Sequence, residues 1–226
     1  MTQTWHDLLF VHWPIDAREL RPRIPPAFHL DLFGGHAWLG VVPFRLTNVA
    51  PRGLPALPVL SAFTELNVRT YVIRDGKPGV WFFSLDADRR LAVAAARTLF
   101  HLPYFVADMD LRPDGSGIAF RSRRIAPGAA PAELHARYEP TGPIDEPRPG
   151  SLEHFLTERY CLYTVDRRSR PCRLEIHHPP WPLQPAAAEL PVNTMAAAAG
   201  VRLPGMAPLL HFSRRQDMVA WALTRV

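Results

Sequence analysis

The chain is predicted to adopt an α+β fold on a mostly antiparallel, barrel-like sheet with a few peripheral helices. Three observations predict it. The 25 prolines run from end to end, which favours many short strands over long helices. Several segments show the period-two or doubly apolar patterning of strands. The helical segments fall between strands without a strand–helix–strand rhythm. At 226 residues the chain is long enough to bury a core without staples, and we expect one domain over residues 1–226.

Asp16 opens a short helix, DARELRPRI, which stops near Pro25. Residues 37–44 (AWLGVVPF) and 79–87 (GVWFFSLDA) are apolar on both alternating faces and read as strands covered on both sides. Residues 64–73 alternate. Leu66, Val68, Thr70 and Val72 share one face, and Glu65, Asn67, Arg69 and Tyr71 the other. Asp75-Gly76 signals a hairpin joining this strand to the next, with Lys77 at an exposed turn. A helix over 88–99 follows, capped by Asp86 or Asp88, with Leu91, Ala95 and Leu99 as its apolar stripe, and is ended by Pro103. Ser151 opens a third helix, reaching about Arg159. Further strands are predicted at 118–123, 132–138, 174–178, 209–213 and 218–224. Pro-rich loops are predicted at 140–150 and 179–191.

The chain carries 26 basic and 21 acidic residues, and 25 of the basic ones are Arg. Lys77 is the single lysine, so any amine chemistry has one candidate. The Arg121–Arg124 and Arg167–Arg173 clusters could neutralise phosphates, yet no recognition-helix or stacking motif accompanies them, so no nucleic-acid partner is expected. No apolar run reaches the ~18 residues of a membrane span, and no secretory pattern opens the chain. A cytoplasmic location and two free thiols, Cys161 and Cys172, are expected. Dinucleotide, P-loop, zincin and nucleophile-elbow motifs are absent.

The polar face of the 64–73 strand is the first candidate site. If it lines an interior, Glu65 and Arg69 lie about 13 Å apart at the backbone. A carboxyl in apolar surroundings suits acid–base work, and a guanidinium suits a substrate carboxylate. The competing reading is a half-exposed strand with this face in water. The histidines are His12 beside Trp13, and His177-His178 followed by Trp181. His177 and His178 point to opposite faces, so one of them can enter a given site. No spacing is a metal signature, and neither metal nor cofactor is expected.

A family resemblance rests on these stretches in order: FVHWP (10–14), WLGVVPF (38–44), FTELNVRTYV (63–72), GVWFFSLDA (79–87), AAR (95–97), LPY (102–104), LEHFLTERYCLY (152–163) and HPPWPL (178–183). Together they resemble the YqjF-like domain-of-unknown-function family across nearly the whole chain. That family in turn resembles acetoacetate decarboxylase. The resemblance implies a closed or nearly closed β-barrel-like domain with its site inside.

The decarboxylase works through a Schiff-base lysine that follows an Ile/Leu-Pro pair; here Leu102-Pro103 is kept and Tyr104 stands at the lysine position. An arginine near its first strand holds the substrate carboxylate; here that place is about His12-Trp13. The acidic residue of the central strand is retained as Glu65. We therefore expect an uncharacterised protein that binds or transforms a small carbonyl-containing or acidic molecule without a Schiff base. Glu65, Tyr104 and His178 would be catalytic, and Arg69, His12, Trp13, His177 and Trp181 would bind substrate. Small-molecule binding or sensing without chemistry is the alternative. The partner expected is a small ligand, with a homo-oligomer left open.

Overall fold

The computed structural model describes residues 1–50 and 61–226. Among the described residues, twelve strands and four short α-helices run in the order β1 (Thr2–Ile15), α1 (Ala17–Leu20), β2 (His29–Leu30), β3 (Ala37–Ala50), β4 (Phe63–Arg74), β5 (Lys77–Ala87) and α2 (Arg90–Leu99). Then come β6 (Tyr104–Asp114), β7 (Gly117–Arg124), β8 (Glu133–Pro140), α3 (Leu152–Thr157), β9 (Cys161–Val165), β10 (Pro171–His177), β11 (Gln184–Asn193), α4 (Met195–Ala198) and β12 (Leu209–Arg225).

The strands form one sheet, ordered β10-β9-β5-β6-β7-β8-β11-β12-β1-β3-β4-β2. Pairings β10–β12 and β5–β4 close it on itself. Two rings result. One passes through β1, β3, β4, β5, β9, β10 and β12; the other leaves β5 through β6, β7, β8 and β11 and returns by β12. All pairings are antiparallel except β5–β6 and β5–β9. The strands β1, β3 and β4 are therefore a wall shared by both rings. One side of the wall, with Leu9, Val11, Trp13, Leu39, Val41, Leu66 and Val68, packs on Ile118, Phe120, Leu134 and Tyr138. The other side, with Leu8, Phe10, Val42 and Phe44, packs on Val93, Trp181 and Leu183.

This explains the burial of β4. Phe63 through Val72 are all buried, so the half-exposed reading of that strand does not hold. Asp75 and Gly76 make the predicted hairpin turn, both at positive φ (51° and 73°), as a mirror-type turn requires. Asp16 caps α1 by accepting from the Arg18 N–H, and Ser151 caps α3 by accepting from that of His154.

Several expectations are corrected. The helix α2 is not capped by either aspartate. Asp86 is held by Arg124, and Asp88 accepts from the backbone N–H of Thr64. Its predicted stripe faces outward, with Leu91 and Leu99 exposed, while Val93 turns into the core. The stretch 179–191, read as a Pro-rich loop, contains most of β11, and the two strands predicted near the end are one 17-residue strand, β12. Strands β1, β2, β6 and β9 were not predicted. Cys161 and Cys172 are both free and buried.

Candidate functional site

Alternation on β4 sends Glu65, Asn67, Arg69 and Tyr71 to the side of the wall that carries Phe10, His12 and Phe44. All four are buried. The Tyr104 hydroxyl, at the start of β6, donates to Glu65 Oε2 at 2.8 Å. Parallel pairing of β6 with β5, Leu85 against Tyr104, brings the tyrosine beside the strand that partners Glu65. Burial pushes the Glu65 carboxyl up to about 8, opposed by the Tyr104 and Asn67 hydrogen bonds and aided by the negative Asp86 nearby. Burial and the neighbouring Glu65 hold the Tyr104 phenol well above its usual range.

Asp86 is itself fully buried and receives both Nε and Nη2 of Arg124 (3.1 and 2.8 Å). Phe105 lies 4.1 Å from that guanidinium. The polar face is therefore backed by a neutralised ion pair that sequence reasoning missed.

Four residues along β4 from Glu65, Arg69 meets no carboxylate among the described residues. Its guanidinium stands 5.3 Å from the Phe10 ring and 5.8 Å from the Tyr71 ring. Its Nη2 reaches the Leu156 carbonyl of α3 at 3.5 Å, and its Nε–H has no acceptor among the described residues. Tyr71 donates to the same Leu156 carbonyl at 2.8 Å, and His12 Nε2 lies 2.7 Å from the Tyr71 hydroxyl. His12, Gly40 and Arg69 are register partners across β1, β3 and β4. A Cβ on Gly40 would come 2.9 Å from His12 Nε2 and 3.3 Å from Arg69 Cγ. Glycine there lets the two side chains close over the middle strand.

The other candidates are placed as follows. Trp13 points to the opposite side of the wall, among Leu9 and Val11. His177 is exposed and stacks on Tyr160, 6.1 Å between centroids. His178 is the inward one of the two. Its Nδ1 and Nε2 face the carbonyls of Pro179 and Arg159, and its ring stacks on Tyr160 at 4.7 Å. Trp181 packs edge-on against Phe10 at 4.9 Å with its indole N–H unpartnered. The structure thus joins Glu65 to Tyr104, and His12 to Tyr71 and Arg69. Trp181 touches this group through Phe10, His178 reaches it through Trp181 and Arg159, and Trp13 and His177 are apart from it.

A second buried arginine was also missed. Arg159 bonds Asp31 at 2.5 Å and stands 4.9 Å from the Tyr71 ring. Lys77 forms a surface ion pair with Glu175 at 2.5 Å. It pairs with Arg74, ten residues along β5 from the Ala87 that faces Glu65, about 33 Å at strand rise. No helix of the described residues is long and apolar enough to cross a membrane.

Comparison with known proteins places this geometry. The uncharacterised protein YqjF of Bacillus subtilis (strain 168) is 48% identical over 225 residues, covering 100% of this chain and 92% of that protein. Among solved structures, the enduracididine biosynthesis enzyme MppR, complexed with the condensation product of pyruvate and imidazole 4-carboxaldehyde, superposes with a TM-score of 0.67 at 12% identity. That match covers 99% of this chain and 88% of the other. Acetoacetate decarboxylase gives a TM-score of 0.67 at 13% identity, covering 100% and 89%. These likenesses establish an acetoacetate decarboxylase-like fold. The model of the family DUF2071, an uncharacterized conserved protein, matches residues 2–217, and the chain belongs to that family.

Proposed function

We propose that the polar face of β4 binds a small carbonyl-containing or acidic molecule and moves protons on it by general acid–base chemistry. The observation that carries this reading is the hydrogen bond between buried Glu65 and half-buried Tyr104, 2.8 Å long. Glu65 is the acid–base group. Tyr104 offers a hydroxyl where the resembling decarboxylase has its amine, and Arg69 holds the anion. Enolisation is the simplest step such a pair supports. The Glu65 carboxylate takes a proton from the carbon beside a carbonyl. The C–H electron pair becomes the C=C of an enolate, and the carbonyl pair moves to oxygen, which Tyr104 hydrogen-bonds. Lys77 takes no part: it is half-buried at the start of β5 and not on an exposed turn, it is ion-paired with Glu175, and it lies at the far end of its hairpin. The MppR and decarboxylase structures concern enzymes of this fold, and a pyruvate-derived compound in the former supports the substrate class.

Pyruvate is therefore the probe. Exchange of its methyl protons for deuterium, followed by proton NMR, is expected to rise with pH towards about 8, as Glu65 ionises. It should fall about 100-fold in Glu65→Gln and about tenfold in Tyr104→Phe. Binding without exchange points instead to a sensing protein, and exchange unchanged in both variants overturns the assignment.

A further inference from the structure

His12 carries a hydrogen-bond acceptor whose position is dictated by its neighbours. The Tyr71 hydroxyl has one proton, and it goes to the Leu156 carbonyl, which can only accept. His12 Nε2, 2.7 Å from that hydroxyl, must then donate to it. A neutral imidazole with its proton on Nε2 has a bare lone pair on Nδ1. His12 is completely buried, and Nδ1 meets no donor among the described residues. Burial and the adjacent Arg69 both push this imidazole well below its usual range, so a second proton does not fill the vacancy.

Across Gly40 stands the complementary deficit, the Arg69 Nε–H without an acceptor. Buried polar groups are almost always paired, and two orphans of opposite sense on side chains that close over one glycine call for a ligand that answers both. We infer that the molecule bound here pairs its anion with a hydroxyl or N–H, the anion meeting Arg69 and the donor meeting His12 Nδ1. Within the small acids of the proposed function, those that also carry a hydroxyl or N–H are the chemical class. The inference rests on the reading of Arg69 as the anion holder, and it adds the second contact. It also assigns His12 a fixed tautomer in the free protein.

Two matched probes test it: 3-hydroxybutyrate and butyrate, titrated into the whole chain with ¹⁵N-labelled histidine. The free protein should show His12 protonated on Nε2 alone. The hydroxy acid should bind about tenfold tighter than butyrate and shift the Nδ1 resonance, while butyrate leaves that resonance in place. The preference should vanish in His12→Phe and in His12→Leu, neither of which offers an acceptor. Both acids binding equally with Nδ1 unmoved overturns the donor contact alone. Neither acid binding, or affinities unaltered in Arg69→Met, overturns the anion reading and this inference with it. A proton on Nδ1 in the free protein overturns the tautomer.

Discussion

The two faces of β4 are buried alike and built unlike. Leu66 and Val68 are wholly buried in the larger apolar cluster on one side, beside Asp86 and Ser84 of β5. Glu65, Asn67, Arg69 and Tyr71 are enclosed on the other, where Asn67 Oδ1 and Arg69 Nε lack partners. The first face stabilises through apolar area, at roughly 1.5–3 kcal/mol per large side chain. The second bears the desolvation of charged and polar groups and recovers it incompletely. Equal burial with opposite chemistry separates what holds the wall together from what the wall presents.

The sharpest way to break that contrast is at Leu66. Leu66→Ala is expected to destabilise the protein by about 2–5 kcal/mol in chemical denaturation, through lost burial and a residual cavity. A loss well under 1 kcal/mol would mean this face is not the structural one.

Next comes Glu65, where the sign reverses with pH. Its carboxyl sits at about 8 when folded against 4.5 as its ordinary value, so the fold favours the protonated form. The contribution is full below about 4.5 and is lost as pH rises through about 8. Wild-type stability should drop on the order of a few kcal/mol across that window. Glu65→Gln should flatten the profile, since Tyr104, Asn67 and Asp86 remain around a group that no longer titrates. Urea melts of both proteins from pH 4 to 9 would decide it, and parallel profiles would refute the shift.

Arg69 should show the smallest effect. Arg69→Met removes a buried guanidinium that no carboxylate meets, so stability should hold or rise by about 1 kcal/mol in thermal melts while acid binding disappears. Marked destabilisation would make Arg69 a structural residue and erase the distinction between the faces.

Much of this wall was legible in the sequence. The alternation of residues 64–73 assigned both faces correctly, because a strand's period of two does not depend on its neighbours. Which face meets water does depend on them, and only the second ring shows that neither does. Proline misled at β11. Pro185 and Pro191 read as loop, yet Pro185 serves the ladder through its carbonyl, accepting from Thr141 N at 2.8 Å, and no donor is needed there. In α2 the leucines suggested the inner stripe, but Val93 faces the core and Leu91 and Leu99 do not. At the site, Glu65 and Tyr104 were named before their contact was visible. Arg159 with Asp31, and Arg124 with Asp86, were not, since each pair joins residues far apart in the chain. Trp13 was grouped with His12 by adjacency, although neighbours on a strand face opposite ways.

The partition also bears on how the site works in time. A residue in a wall braced from both sides has no hinge of its own; moving Glu65 or Arg69 by a strand shift would unseat Leu66 and Val68. The arrangement is therefore pre-set rather than assembled when a ligand arrives. Whatever opens to admit one must lie in the segments that cover the wall, such as α3 with its Leu156 carbonyl, and not in the wall itself. Recognition and access are carried by different pieces of chain, so each can change in sequence without disturbing the other.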